Sequence, residues 1–201
     1  MSDEGMNRTR RQLVALTSAV GAVGAGFAAV PFIQSWTPSE RARAAGAPVE
    51  VDISKLEPGQ MMTVEWRSKP VWILRRTPEM LAGLEKLNAT VTDPDSTNAD
   101  QPGYVAGVER SIKSEYLVLV GICTHLGCSP QTPIKAGAVA AFALGDDWPG
   151  GFFCPCHGSK FDLSGRVYKN VPAPTNLPVP PHKYLSDTRL LIGVDQDSDK
   201  A

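Results

Sequence analysis

All four cysteines and two of the three histidines of this 201-residue chain fall into two short segments. The first segment is Cys-Thr-His-Leu-Gly-Cys at residues 123–128, and the second is Cys-Pro-Cys-His-Gly-Ser at residues 154–159. Each segment therefore supplies two cysteines and one histidine. Because thiolates and imidazoles bind zinc and iron–sulfur clusters, the pattern predicts a metal centre held between two loops.

Four cysteines and two histidines are compatible with more than one kind of metal centre. A single zinc ion takes four ligands, so a Cys2His2 zinc site would leave two cysteines for a disulfide. Two structural disulfides would leave both histidines unexplained, and a catalytic Cys–His pair needs only one cysteine. A 2Fe-2S cluster with two cysteines on one iron and two histidines on the other is the remaining interpretation. The spacing favours this cluster over zinc.

The overall composition excludes several other classes of protein. The chain is 42% hydrophobic and 20% charged, with a formal net charge of -1. Disordered chains are more charged and less apolar, small disulfide scaffolds hold more cysteine, and nucleic-acid-binding domains are usually basic. We therefore expect no nucleic-acid partner, and the length suits one globular domain plus additional sequence.

The additional sequence includes an uncharged N-terminal segment, residues 13–33. As a helix, these 21 residues would span roughly 31 Å, enough to cross a bilayer core of about 30 Å. Basic residues within residues 1–12 predict a cytoplasmic N-terminus. A cleaved signal peptide is the alternative, with Ala42, Arg43 and Ala44 as a loose cleavage site, and a buried core helix is the weaker one.

Residues 9–13, Thr-Arg-Arg-Gln-Leu, resemble a twin-arginine export signal, which in bacteria accompanies domains that fold before export. Residues 34–48 are polar and rich in alanine, and they are predicted to form a flexible hinge or linker. The remaining residues, 49–201, are predicted to form the functional head domain.

The head domain is predicted to be mainly β, because it consists of short apolar runs bounded by Gly, Pro, Asn or Asp. Many short strands separated by turn residues are typical of an antiparallel sandwich or barrel. The predicted strands lie at residues 49–53, 61–66, 71–74, 116–121, 138–143, 151–153, 165–168 and 190–194.

One helix is predicted to begin at Pro78, with Thr77 as its cap. Its apolar stripe consists of Met80, Leu81, Leu84 and Leu87. Elsewhere, Trp66 and Trp72 lie in strand patterns and are expected in the core. His182, in Pro-Pro-His-Lys-Tyr, is expected at the surface.

The two Cys/His segments together resemble the cluster loops of the Rieske iron–sulfur proteins. The four-cysteine form is similar to the Rieske subunit of the bacterial cytochrome bc complex, ubiquinol–cytochrome c reductase, whereas Rieske ferredoxins and oxygenases usually lack the second cysteine of each loop. Residues 171–177, Val-Pro-Ala-Pro-Thr-Asn-Leu, resemble the proline loop that covers the cluster in this family. The resemblance extends over nearly the whole chain.

The resemblance implies one Rieske-type 2Fe-2S cluster between a first loop, about residues 122–130, and a second loop, about residues 153–162. It also implies a disulfide between Cys128 and Cys156 that joins the two loops. The implied ligands are Cys123 and Cys154 on one iron, and His125 and His157 on the other.

The resemblance assigns further roles around the cluster. It implies that His157 contacts the quinol in proton-coupled electron transfer, with His125 in a supporting position. Ser159 matches a serine that donates a hydrogen bond to a cluster sulfur, and Phe161 stands where many members have a tyrosine. Leu126 is expected at the tip that docks on cytochrome b.

The implied fold is a Rieske-type antiparallel β-sandwich with a small cluster-binding subdomain, preceded by a single transmembrane helix. The implied activity is that of a ubiquinol–cytochrome c reductase subunit, which takes an electron from ubiquinol and passes it to a c-type cytochrome during respiratory electron transport and proton translocation. Cytochrome b and a c-type cytochrome are the implied partners, in a dimeric complex of the bacterial inner membrane with the head in the periplasm. A hinge is expected within residues 39–47, where the head would move between its partners.

Two alternatives remain from the sequence. One is the Rieske small subunit of a periplasmic molybdenum oxidase, which can share both the cluster and the export signal. The other is an exported binding domain stabilised by zinc.

Overall fold

The structure, a computed structural model, describes residues 8–132, 135 and 148–196. The chain forms two compact units, Met1–Ala44 and Ala45–Ala201.

The first unit is dominated by helix α1, Arg8–Gln34, which has no buried residue. The only polar side chains in the centre of the predicted span are Thr17 and Ser18, and the Thr17 hydroxyl donates a hydrogen bond to the Leu13 carbonyl within the helix. Among the described residues, α1 is the one helix long and apolar enough to cross a membrane.

A short second helix, α2, Glu40–Ala45, lies inside the predicted linker. It begins where the Ser39 hydroxyl accepts a hydrogen bond from the backbone N–H of Ala42 at 3.2 Å, and Glu40 occupies its first turn. The sequence pattern did not predict this helix, because it depends on local capping and has no apolar period.

The second unit contains eight strands among its described residues, arranged in three antiparallel sheets. The strands are β1 (Val49–Asp52), β2 (Met61–Trp66), β3 (Lys69–Arg75), β4 (Tyr116–Val120), β5 (Phe152–Cys154), β6 (Ser159–Phe161), β7 (His182–Ser186) and β8 (Arg189–Ile192). The sheets have the orders β1–β8–β7, β2–β3–β4 and β5–β6. The mainly β, antiparallel fold class is confirmed.

The sheet β2–β3–β4 separates two apolar cores. Val71 and Ile73 of β3 belong to the core shared with β1 and β8. The alternate residues Trp72 and Leu74 belong to the other core, which also contains one buried cysteine from each loop, Cys123 and Cys154. Because both faces of this sheet are buried, β3 and β4 form continuous apolar runs instead of alternating with polar residues.

Six of the predicted strands correspond to β1, β2, β3, β4, β5 and β8 within a few residues. Residues 165–168 do not form a strand, because Val167 and Tyr168 make only isolated bridges, to Phe161 and Val91. The predicted strand at 138–143 lies outside the described residues. The patterns missed β6 and β7, whose sequences mix polar and apolar residues and lack a strand-like run.

The predicted helix is confirmed as α3, Pro78–Leu84, and continues as a 3-10 turn over Glu85–Leu87. The Thr77 hydroxyl caps it by accepting a hydrogen bond from the Met80 N–H at 3.3 Å. Leu84, on the apolar face of α3, is buried in the same core as Cys123 and Cys154.

Both strand tryptophans, Trp66 and Trp72, are buried as predicted. The prediction for His182 was wrong, since its side chain is 1% exposed. The ring is held by a 2.8 Å hydrogen bond between Nδ1 and the Pro180 carbonyl, and its backbone N–H and carbonyl both bond the Tyr104 hydroxyl. The polar and proline-rich sequence around His182 gave no sign of these tertiary contacts.

Candidate metal centre

Two loops with the same local geometry carry the chemistry. In the first loop the Gly127 N–H donates a hydrogen bond to the Cys123 carbonyl at 3.0 Å, and in the second loop Gly158 bonds Cys154 in the same way at 2.9 Å. Both glycines lie four residues after a cysteine and have positive φ, of 82° and 76°. Glycine adopts this left-handed backbone without a steric penalty, which explains why it occurs at this position in each loop.

The four cysteines divide into one disulfide and two thiols. Cys128 is joined to Cys156, the two cysteines that the family resemblance pairs, so the bond ties the first loop to the second across 28 residues of sequence. Cys123 and Cys154 are free thiols and buried. The Cys154 sulfur lies within 4.8 Å of both disulfide sulfurs. Because disulfide sulfurs are not thiolates, these three cysteines do not form a metal site, and the two free thiols remain available as ligands.

The two loop histidines meet face to edge. The ring centroids of His125 and His157 are 4.8 Å apart and the ring planes are at 89°. His157 is exposed, whereas His125 is half-buried. The two imidazoles are therefore close enough to serve one centre, and His157 is the more accessible of the two.

Burial raises the pKa of the Cys123 thiol above its ordinary value, and the adjacent Cys154 thiol acts in the same direction. Hydrogen bonds from the His125 backbone and from the Ser159 hydroxyl act in the opposite direction. The raised pKa of Cys123 favours its protonated form in the free protein, so binding of a metal cation by this thiol releases a proton.

The proline loop, residues 171–177, is fixed to both cluster loops by side chains. The Ser159 hydroxyl accepts a hydrogen bond from the Ala173 N–H at 3.0 Å. The Thr124 hydroxyl of the first loop donates to the Thr175 carbonyl at 2.7 Å. Ala173 is buried, whereas the flanking Pro172 and Pro174 are exposed, so the two prolines form the outer surface of this segment.

Sequence reasoning missed two residues that hold the end of the proline loop. The Asn176 side chain accepts a hydrogen bond from the Val167 N–H and donates to the Asp93 carbonyl. The Arg110 guanidinium donates to the Leu177 carbonyl at 2.6 Å. Asn176 could have been suspected from its place in the proline loop, but no local pattern singles out Arg110.

A buried ion pair supports the turn that follows β6. Arg166 and Asp162 have fully buried side chains and an Nε–Oδ2 distance of 2.7 Å. The other Asp162 oxygen accepts hydrogen bonds from the N–H groups of Ser164 and Arg166. The fully bonded carboxylate fixes the turn, since an unpaired buried charge would be costly.

The available donors fit a Rieske cluster. Each loop supplies one thiol and one imidazole, so the four donors form two chemically distinct pairs, and the disulfide accounts for the other two cysteines. The same four donors would also suit a single zinc ion. Comparison with known proteins distinguishes the two centres.

Family comparisons cover almost the entire chain. The Rieske 2Fe-2S domain profile matches residues 48–181. The profile described as the ubiquitinol-cytochrome C reductase Fe-S subunit TAT signal matches residues 1–39.

Two individual iron–sulfur subunits are similar to this chain over nearly their whole length. The ubiquinol-cytochrome c reductase iron-sulfur subunit of Allochromatium vinosum is 60% identical over 199 residues, which cover 98% of this chain and 95% of that protein. The subunit of the same name from Blastochloris viridis is 42% identical over 197 residues, covering 96% and 97%. Among solved structures, a chain of a hyperthermophilic respiratory Complex III is 29% identical, with a TM-score of 0.46, and the match covers 88% of this chain and 98% of that one.

Proposed function

The chain belongs to the family of Rieske iron–sulfur subunits of ubiquinol–cytochrome c reductase, and we propose that it accepts electrons from ubiquinol and passes them to a c-type cytochrome. Its cofactor is the Rieske-type 2Fe-2S cluster of this family. It is anchored to the membrane by its N-terminal apolar helix. The similar proteins do not favour the molybdenum oxidase or zinc alternatives.

Two thiols and two imidazoles would hold the cluster. The pairing of buried thiols and adjacent rings supports this assignment, because each iron would receive one donor from each loop. The ligands of the proposal are Cys123 and Cys154 on one iron, and His125 and His157 on the other.

When bound, the cluster supplies one-electron redox chemistry at a potential that is high for a 2Fe-2S centre, because neutral imidazoles replace two thiolates. His157 would bind the quinol through the ring nitrogen that does not contact iron and would take up its proton there. Its exposed ring supports this role, and the half-buried ring of His125 fits a supporting one. Ser159 would stabilise the cluster through its hydroxyl.

Leu126 would form the centre of the surface that docks on cytochrome b. It lies between the ligand positions of the first loop, and its side chain is 71% exposed. Leu126 directly follows His125, whose ring contacts that of the exposed His157, and an exposed apolar side chain gives a protein partner a surface from which water is readily displaced. A c-type cytochrome would accept the electron from the same tip, in a complex that we expect to be dimeric.

The head would lie in the periplasm and the N-terminus in the cytoplasm of a bacterial inner-membrane complex. The basic residues before α1 support this orientation. The Cys128–Cys156 disulfide supports an oxidising compartment for the head. Residues 39–47 would act as the hinge that lets the head move between its two partners.

The observation that carries this proposal is that the two loops bring a free thiol of each into mutual contact and an imidazole of each into mutual contact, and of these four side chains only His157 is exposed. The test is a mild-detergent preparation of the complex, assayed for subunit composition, metal content and the electron paramagnetic resonance spectrum after reduction. We expect cytochrome b and a c-type cytochrome to co-purify, with two irons per chain and a Rieske signal.

A matched pair of variants sharpens the test. His157→Asn should abolish the signal, whereas His182→Asn, which alters a buried histidine outside both loops, should retain it. Co-purification with a molybdenum enzyme, or one zinc and no signal, would contradict the proposal.

A further inference from the structure

Arg110 occupies an unusual position for an arginine. It lies in the segment between the 3-10 turn Gly103–Val105 and β4, and its side chain is fully buried. Its backbone has a positive φ of 52°, a region that non-glycine residues seldom adopt. A buried cation on a strained backbone persists only when surrounding contacts fix it in place, so its partners indicate what it does.

Those partners join two separate parts of the centre. Nη1 donates to the Ser164 carbonyl at 2.9 Å, in the turn that follows β6. Nη2 donates to the Leu177 carbonyl at 2.6 Å, at the end of the proline loop. Nε donates to Gln101 Oε1 at 2.8 Å, which orients the guanidinium plane. One planar group therefore ties the proline loop to the turn that follows the second loop.

Leu177 also bonds this turn directly, because the Leu177 N–H donates a hydrogen bond to the Gly165 carbonyl at 2.8 Å. Gly165 also makes room for the guanidinium. Its φ is +72°, and a Cβ there would lie 3.1 Å from Nη1 of Arg110 and 2.8 Å from Cδ1 of Leu119. The chain thus provides a close-fitting space for Arg110 at the base of the proline loop.

The proline loop depends on such anchors because it belongs to no sheet. Pro172 and Pro174 have no N–H to donate, and both are exposed. The loop is instead held by hydrogen bonds with other segments, which Ala173 donates and Thr175, Asn176 and Leu177 accept. Arg110 is the charged donor among these anchors, and hydrogen bonds from charged groups are the stronger ones.

We propose that Arg110 is a positioning residue that fixes the end of the proline loop and thereby sets how tightly this loop covers the cluster. The proposal rests on the ligand assignment above. When the Leu177 carbonyl loses its charged donor, the loop opens more often, and water and chelators reach the cluster more readily.

The experiment compares two buried arginines in the purified complex. Arg76 is a matched control, because burial lowers the pKa of both Arg76 and Arg110 to about 10. Arg76 also contacts the turn after β6, through Leu163 and Ser164. Its hydrogen bonds among the described residues go to that turn and to Glu109, Ser111 and Ser114, and none goes to the proline loop.

The variants are Arg110→Gln, Arg110→Lys and Arg76→Gln. The readouts are amide hydrogen exchange of residues 173–177, the rate of cluster loss to an iron chelator, and the resonance line shape of the reduced complex. Arg110→Gln should speed amide exchange at residues 173–177 and cluster loss to the chelator about tenfold or more relative to Arg76→Gln. The reason is that the proline loop loses a hydrogen bond from a charged donor. Arg110→Lys, which keeps a cationic donor, should recover part of the difference.

Equal rates of amide exchange and cluster loss in Arg110→Gln and Arg76→Gln would overturn the positioning role. They would show that the loss of any buried cation has this effect. If Arg110→Gln does not accumulate, Gln101→Met decides, because it removes the contact that orients the guanidinium and, besides it, the hydrogen bond from Gln101 Nε2 to the Ser96 carbonyl. We then expect a smaller increase in the amide exchange rate of residues 173–177, and an unchanged rate there would overturn the inference. A wild-type complex without a Rieske signal would instead contradict the proposed function.

Discussion

The hydroxyl oxygen of Ser159 accepts a hydrogen bond from the backbone N–H of Ala173 at 3.0 Å, and both residues are buried. The same hydroxyl bonds the Cys123 thiol and acts to lower its pKa. One side chain of the second loop thus contacts both the proline loop and a proposed cluster ligand of the first loop.

Ser159→Ala should lower the midpoint potential of the cluster by tens of millivolts. The lost hydroxyl would no longer stabilise the more negative, reduced form, and ~59 mV corresponds to a tenfold change in a one-electron equilibrium. Redox titration of the purified complex measures the shift. Thr124→Val is the control, because it removes another proline-loop anchor without a hydroxyl at the Cys123 thiol, and it should shift the potential less. Equal shifts would indicate that loop anchoring alone is responsible.

Phe161→Tyr should raise the midpoint potential. Phe161 is fully buried in the core that contains Cys123 and Cys154, and a tyrosine hydroxyl at this position would donate a hydrogen bond to a ligand sulfur. The matched control is Phe152→Tyr, since Phe152 is equally buried and pairs directly with Phe161 between β5 and β6. The interpretation of Phe161 is wrong if its tyrosine variant leaves the midpoint unchanged.

Replacing Cys128 and Cys156 together by serine should destabilise the two loops. In the chain-entropy description, a disulfide that closes a loop of this length contributes about 3–4 kcal/mol to the free energy of unfolding. The cluster signal of the double variant should therefore disappear at a lower temperature than that of the wild type in a thermal scan. Cys156 is exposed, so treating the wild type with a reductant should reproduce the effect, and an unchanged transition in both would contradict it.

The stability of the head should fall as the pH drops below about 6.5, because of His182. Burial lowers the pKa of His182 from its ordinary value of 6.5. Nε2 is buried and has no hydrogen-bond partner among the described residues, so a proton there would be an uncompensated charge. The stabilisation from neutral His182 is fully present above the pKa of this residue in the unfolded chain. It is lost as the pH falls towards the lowered pKa in the folded chain, and the free energy of unfolding then changes by at most about 1.4 kcal/mol per pH unit.

Denaturant unfolding of the full chain in detergent at pH 7 and pH 5 measures this effect. His182→Asn keeps a side-chain donor for the Pro180 carbonyl but does not titrate, so its stability should depend less on pH. A variant with the same pH dependence as the wild type would show that other groups cause the acid sensitivity.

Proline at both Ala44 and Ala45 should slow steady-state quinol oxidation while leaving the cluster spectrum intact. These positions end α2 within the proposed hinge, and proline restricts its own φ and disfavours the helical conformation of the preceding residue. Glycine at the same two positions is the control, because it disrupts α2 without stiffening the chain. Normal turnover in the proline variant, or equal slowing by glycine, would count against a hinge there.

Much of the fold followed from local patterns. The apolar residues of α1, the cap and stripe of α3, and the runs of β1 to β5 and β8 are local signals, because each element is specified by residues close in sequence. The patterns missed β6 and β7, which depend on partners elsewhere in the chain. The short helix α2 was missed because capping alone defines it.

The sequence by itself determined which residues can bind a metal, because cysteine and histidine types and their spacing within each loop are local properties. Only the tertiary structure decided that His157 is exposed while His125 is half-buried, and that His182 is hidden from water. It also decided that Arg110 bonds the end of the proline loop at Leu177, 67 residues further along the sequence. Burial and hydrogen bonding between distant segments depend on how the chain packs, and short-range patterns do not encode them.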